Sequence, residues 1–404
     1  MLKPVVQLFE LLFYLGVPII LFAFALFFSV LLHELGHAVP KLLMTTGRVG
    51  VYVGSFGDAD RSLKCHIGRL DLFFKYNPLL WRKGLCKAHG IFSAKQRLLF
   101  SAAGPLTSLL LTLTCWRLLA DFDFYGILKF SLGIMLYVSA VITLSSIIPL
   151  RNAVTLNDGR KIGNDAAQIL YWLKYRKLPL AYWQATEHIR NQQYREAAIL
   201  LDKLLADGHT DSLIYRNTVI AHLNLKDYTT AARVNDTIKS LYDFTADDYS
   251  NEGFIKSRRE QHTEAMLIYQ KALSLDPNHV YALNNLGYTL CVIKRDAEAI
   301  SYFDKVLTLS PAFSHAYCNR GWAKINLGNL EDGLADVNHS LTLAPSDADA
   351  YRNLGLYYQK KKDFGKAIEL FEKAKVMDAE TPLVDQYLAE AYEGLRALST
   401  PGTA

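Results

Sequence analysis

His33, Glu34 and His37 stand together in "SVLLHELGHAVPKLL" (29–43), behind 22 uncharged positions from Leu11 to Leu32. On a helix, positions i and i+4 share a face, so the two imidazoles can reach one point while the carboxylate stands beside it. Two imidazoles and one further carboxylate suit zinc, leaving a fourth position for a water whose pKa the metal lowers toward neutrality. Glu34 is then the general base. An ionisable residue inside an apolar span costs roughly 2.5–3.5 kcal/mol, so a cluster of three needs a metal or partners to persist.

The third ligand is narrowed by elimination. The extended pattern HExxHxxGxxH fails, because Pro40 and Leu43 occupy its glycine and third-histidine positions. No glutamate lies between Glu34 and Glu187, so an aspartate must serve, or His66 or His89. Asp58, Asp60 and Asp71 fall in a surface β segment, and Asp121 and Asp123 fall on the far side of the membrane. That leaves Asp158, in "SIIPLRNAVTLNDGRKI", where Pro149 breaks a helix and Asn157-Asp158-Gly159 is a turn sequence. The competing reading of Asp158 is a plain helix-boundary residue. One zinc ion per chain, held by His33, His37 and Asp158, is the expectation.

Three apolar runs must carry these residues, at about 11–35, 97–117 and 129–150, each near the ~20 residues that cross a bilayer as helix. The first is longer than the ~7–15 apolar residues of a signal peptide and leads to no small-residue cleavage site. Residues 41–97 hold eleven Lys or Arg against three Asp, the pattern of a positive cytoplasmic loop rather than a nucleic-acid patch. This places the N-terminus outside, the C-terminus inside, and the chain in a bilayer, read as a bacterial inner membrane. Within that loop "RVGVYVGS" (48–55) and "LKCHIGRLDLFF" (63–74) alternate apolar and polar residues and read as a small β-hairpin or sheet. Five cysteines without a CxxC pair argue for a reducing compartment and against a disulfide framework.

Residues 1–175 resemble the site-2 protease family of intramembrane zinc metalloproteases. The resemblance rests on "HELGH" in the first span, the β segment, "AGPLTSLL" with Gly104 and Pro105 in the second span, and the Asp158-Gly159 motif after the third. It implies a protease that cleaves a membrane-anchored protein in or near its transmembrane segment. It also implies that Gly104, Pro105, Ser108 and Ser146 help position substrate. Ser108 and Ser146 stand where the family usually has asparagine, and serine reaches less far than an amide.

Beyond residue 180 the sequence repeats with a period of 34: Gly253, Gly287, Gly321 and Gly355, then Pro277, Pro311 and Pro345. Ala197, Ala231, Ala265, Ala299, Gly333 and Ala367 continue the phase. The pattern resembles the tetratricopeptide repeat (TPR), whose stacked helix pairs commonly hold a peptide or protein partner in a groove. Units near 182–240 lack the glycine and proline, and 383–395 fits a closing helix. Tyr281, Phe303, Tyr317, Tyr351 and Phe371 read mostly as core. Residues 155–180 read as a basic amphipathic linker helix at the membrane face, with Ile169, Leu170, Trp172 and Leu173 beside Lys174, Arg176 and Lys177.

The expected architecture is mainly α: a three-span helical metalloprotease core with a small β-hairpin (1–175), the linker, and an α-solenoid of TPR pairs (181–404). The expected function is a zinc endopeptidase acting in the membrane, with a cytoplasmic repeat domain that binds a protein or peptide. The rival expectation is a catalytically silent, membrane-tethered TPR scaffold. A metal transporter is weaker, since three spans offer no obvious path.

Overall fold

The computed structural model describes residues 2–81, 84–150, 154–155 and 161–399. The described chain is mainly helical and divides into two compact units, Met1–Asn191 and Gln192–Ala404.

The first unit is built on three long helices: α1 (Leu2–Met44), α2 (Ala94–Asp121) and α3 (Gly126–Ile147). Gly16–Met44, Ala94–Asp121 and Gly126–Ile147 are each long and apolar enough to cross a membrane. A capping box starts α2: the Ser93 hydroxyl accepts from the Gln96 amide, and the Gln96 side chain accepts from the Ser93 amide. Helices α1 and α2 approach closely at Gly36, where an added Cβ would stand 2.8 Å from the Ala103 carbonyl oxygen. Small residues at such a contact let two helix backbones pack without a hydrophobic drive.

Between α1 and α2 lie β1 (Val49–Val53), β2 (Ser62–Ile67), β3 (Leu70–Lys75) and β4 (Gly84–Ala88), in the order β2-β3-β1-β4. Of the expected hairpin or sheet, the sheet forms, with 48–55 and 63–74 paired in it but not as a simple two-strand hairpin. The second run is itself the hairpin, turning at Gly68-Arg69 with Gly68 at φ +56°, and β1 joins β3 in parallel. Strand β4, hidden in a basic stretch, closes the other side antiparallel to β1. Val49, Val51, Leu72 and Cys86 bury one face of this sheet against Ala38, Leu31, Leu35 and Leu42 of α1.

After α3, the short strands β5 (Val154–Thr155) and β6 (Lys161–Ile162) pair antiparallel, and α4 (Asp165–Lys174) and α5 (Leu180–Arg190) follow. The amphipathic helix is therefore shorter than the expected 155–180. Leu170 and Tyr171 are exposed, whereas Trp172 turns inward onto Arg97.

The second unit is a solenoid of α6 (Tyr194–Ala206), α7 (Ser212–Asn224), α8 (Tyr228–Leu241), α9 (Ala246–Arg258), α10 (His262–Leu275), α11 (Val280–Val292), α12 (Asp296–Leu309), α13 (Ser314–Asn326), α14 (Leu330–Leu343), α15 (Ala348–Lys360), α16 (Phe364–Met377) and α17 (Val384–Ser399). The glycine of each repeat receives an aromatic ring from the paired helix. A Cβ at Gly253, Gly287 or Gly355 would lie 2.6–2.7 Å from Tyr269, Phe303 or Phe371 respectively. In the α13–α14 pair the ring is replaced by Val337, and Gly321 and Gly333 bring the two backbones together. Phe303 and Phe371 are fully buried as expected, whereas Tyr281 is exposed.

The turns repeat as well. Gln192, Lys226, Glu260, Lys294, Gly328 and Lys362, spaced by 34, all have positive φ, and only one of them is glycine. The phase thus reaches back to the units whose sequence is degenerate.

Candidate metal centre

His33, Glu34 and His37 are buried on α1 beneath β4. The imidazole rings sit edge to face, 4.9 Å apart. Each has one nitrogen engaged by α2: His33 Nδ1 lies 2.8 Å from Ser108 Oγ, and His37 Nδ1 donates to the Phe100 carbonyl oxygen at 2.6 Å. Gly104 provides the seat for His37, because a Cβ there would stand 2.2 Å from Nε2. Gly84 does the same for Glu34, with a would-be Cβ 2.4 Å from Oε1.

The two remaining nitrogens face one carboxylate, that of Asp165. His33 Nε2 is 3.0 Å from Asp165 Oδ2 and His37 Nε2 is 3.3 Å from Oδ1. Potential ligand atoms of His33, His37 and Asp165 all lie within 4.8 Å of one another. Asp158 lies outside the described residues. Of the alternatives, His66 is bound to Asp71 at 2.5 Å on the sheet, and His89 is exposed.

Asp165 was missed because it falls inside the stretch 155–180 read as one linker helix. The signal that could have found it is the residue before it. Asn164 caps α4 by accepting from the Ala167 amide, accepts from the Leu150 amide, and donates to the Ser145 and Ile148 carbonyl oxygens. An asparagine between Gly163 and a helix start is a strong cap signature, and a cap fixes the next side chain. Asn164 ties the end of α3 to the start of α4 and so aims Asp165 at the histidines.

The donor set fits a cation. Because His37 Nδ1 must donate to a carbonyl, Nε2 of the neutral ring carries a lone pair, and that lone pair faces a carboxylate oxygen. Two acceptors at 3.3 Å need a proton or a metal between them, and two imidazoles with one carboxylate are a zinc set. Burial pushes the Asp165 carboxyl up, but the proximity of His33 and His37 outweighs it and holds the group below the ordinary range. Burial also pushes the Cys86 thiol up to about 11, so it is no competing thiolate at neutral pH.

Above these residues opens a cavity of about 460 Å³, bounded by β4 on one side and by Ser146, Asn164 and Trp172 on another. Of the four positions suggested by the family resemblance, Ser108 touches His33, Gly104 touches His37 and Ser146 lines the cavity. Pro105 is buried within α2 and does not line it.

Tetratricopeptide-repeat family profiles match residues 249–279, 268–301, 314–347 and 348–378, so the second unit carries TPRs. No curated protein matches the chain. Among solved structures, YrrB, described as a TPR protein with an unusual peptide-binding site, is 22% identical, with 50% of this chain and 98% of that one covered and a TM-score of 0.33. A TPR protein from Parabacteroides merdae is 17% identical over 56% of this chain and 93% of that one, with a TM-score of 0.43. PilW, a type IV pilus biogenesis factor, is 23% identical over 46% and 90%, with a TM-score of 0.37. All three scores are below 0.5, so the repeat assignment rests on the matched profiles and on the helix pairing.

Proposed function

We propose that this chain is an intramembrane zinc endopeptidase that cleaves a membrane-anchored protein within or near its transmembrane segment. The observation that carries the proposal is the convergence of His33 Nε2 and His37 Nε2 on the Asp165 carboxylate, with the Glu34 carboxylate beside them in a cavity inside the three-helix unit.

Zinc bound there would polarise the scissile carbonyl and acidify a water. Glu34 would serve as the base that takes a proton from the attacking water and returns it to the leaving amine. Phe100 fixes the His37 tautomer, Ser108 holds the His33 ring in orientation, and Asn164 holds Asp165 in place. A substrate helix must unwind first, because its backbone hydrogen bonds hide the scissile carbonyl. Among the described residues strand β4 has a sheet neighbour on one side only, and its residues line the cavity, which suits capture of the unwound segment as an added strand. The charge of the loop between the first two apolar helices favours a cytoplasmic position for β4 and for the repeats, which would bind a protein or peptide that selects or restrains the substrate.

The test is Glu34→Gln in the full chain. Zinc content should be unchanged while one or more membrane proteins accumulate uncleaved. If every membrane protein is processed normally and only deletion of residues 180–404 gives a phenotype, the second reading holds, a membrane-tethered TPR scaffold. The matched repeats favour that reading and leave the metal site without a role.

A further inference from the structure

Five aromatic residues fall within 171–183: Tyr171, Trp172, Tyr175, Tyr182 and Trp183. At a membrane face such residues commonly turn outward as an interfacial belt, as Tyr171 does. Trp172 of α4 and Trp183 of α5 turn inward instead and meet edge to face, with ring centroids 5.2 Å apart. Both rings flank the Arg97 guanidinium at the start of α2, which lies 4.9 Å from the Trp172 centroid and 5.8 Å from that of Trp183. Arg97 is itself fixed, because its Nε donates to the Phe92 carbonyl oxygen at 3.1 Å. From α5 the charges of Glu187 and Arg190, an ion pair, also act on it. Trp183 is buried and, among the described residues, its Nε1 has no hydrogen-bond partner, so ring contacts rather than a polar bond hold it.

On α4, Asp165, Gln168 and Trp172 are spaced i, i+3, i+7, which puts them on one helix face, and all three line the cavity over the histidines. The Asn164 hydrogen bonds pin the N-terminal end of α4 to the end of α3. A pin at one end leaves rotation of α4 about its own axis to be stopped elsewhere, and Trp172, held against Arg97 and Trp183, is placed to stop it. A helix with its side chains is ~10–12 Å across, so a turn of about 10° carries a carboxylate at its rim by about 1 Å. That is enough to spoil the convergence of Asp165 with His33 and His37.

We propose that Arg97, Trp172 and Trp183 are positioning residues for the candidate metal centre: they lock α4 to α2 and α5 and so set where Asp165 points. The inference rests on the metal centre of the protease reading and adds its regulation. Helix α5 runs through residues 191–193 into α6, the first helix of the repeat unit. A peptide or protein that binds the repeats and pulls on α5 would loosen Trp183 from the stack, and metal affinity would fall. By linkage, metal that fixes Asp165 also fixes α5.

The test uses the full chain in detergent, with zinc affinity read by competition against a chromophoric chelator at a temperature below the melting of every variant. Trp183→Leu keeps an apolar side chain but no ring face, and should bind zinc about fivefold more weakly. Trp183→Phe keeps a ring and loses no hydrogen bond, so it should bind zinc nearly as tightly as the wild type. Arg97→Gln separates position from charge. Removing a cation from the cavity would by charge alone tighten zinc, whereas loss of the clamp should weaken it about fivefold. Leu170→Ala, on the exposed face of α4, should change nothing. The wild type alone carries the reciprocal measurement, so a variant that fails to fold leaves the test intact: added zinc should slow hydrogen exchange of the α5 amides (180–190) severalfold and leave those of α17 unaltered. Equal zinc affinities in Trp183→Leu and Trp183→Phe, tighter zinc in Arg97→Gln, or α5 exchange indifferent to zinc in the wild type would overturn the inference. Coupling of α5 to zinc without any Glu34-dependent cleavage keeps this inference and loses the protease reading. Cleavage with zinc affinity untouched by Trp183→Leu does the reverse, and a wild type that binds no zinc ends both.

Discussion

Gly104→Ala should strip the candidate metal centre of most of its zinc affinity without touching a ligand. The added methyl would stand 2.2, 2.5 and 2.7 Å from Nε2, Cε1 and Cδ2 of His37, whereas ordinary contact begins near 3.4 Å. The ring must therefore retreat by about 1 Å, a displacement that costs an optimised site on the order of a hundredfold. It cannot slide along α2, because its Nδ1 is tied to Phe100, one turn earlier on the same helix, at 2.6 Å. Moving outward breaks that bond and pulls Nε2 off the Asp165 side. Loss of such a supporting contact lowers zinc affinity by about 10–100-fold, and overpacking costs the α1–α2 contact about 1–3 kcal/mol. The assay is zinc bound per chain across a buffered zinc series, with thermal melting to confirm an intact fold. Gly133→Ala is the control, because a Cβ on Gly133 of α3 meets nothing within 4 Å. Wild-type zinc occupancy in Gly104→Ala across the whole series would refute the placement of His37 against α2.

Asn164→Ala removes an N-cap and two donated hydrogen bonds, so it should cost about 0.5–2 kcal/mol in melting and weaken zinc binding about tenfold; unchanged zinc binding would show that Asp165 is aimed by something else. Gly287→Ala drives a methyl into Phe303 and should lower the stability of the repeat unit by about 1–3 kcal/mol, whereas Lys294→Gly relieves a left-handed residue at φ +65° and should raise it by about 0.5–1 kcal/mol. Opposite shifts in the high-temperature melting transition are the expected readout, and equal shifts would contradict the helix-pair geometry.

The parts of this fold legible in sequence are those whose physics is local or periodic. The spacing of His33, Glu34 and His37 implies a shared helix face, and the 34-residue period places Gly253, Gly287, Gly321 and Gly355 against their paired helices. Strand pairing is neither local nor periodic. The run 63–74 has the alternation of one strand, and only the two-residue turn at Gly68 makes it two, which in turn leaves β1 to pair in parallel with β3. Strand β4 is too short and too basic to announce itself, yet it forms a wall of the cavity. The carboxylate at the histidines was the costliest omission. Elimination by residue type reached Asp158 without weighing Asp165, which lay within the 155–180 stretch read as a linker helix. Tyr281 shows the converse failure: a repeat-phase aromatic that is not core, since phase fixes the helix face only to within the width of a side chain.

If the proposed centre holds zinc, the hydrogen bonds of Asn164 to Ser145 and Ile148 would make the third helix a party to metal binding although none of its described residues is in the donor set. Linkage would then run both ways: whatever tilts α3 would change the affinity for zinc, and zinc in turn would resist that tilt by the same free energy. A substrate helix wedged beside α3, or a bilayer of altered thickness, would be felt at the histidines as a change in metal occupancy. Zinc retention measured across lipids of graded chain length is thus a gauge of strain in the helix bundle, readable without any knowledge of the substrate.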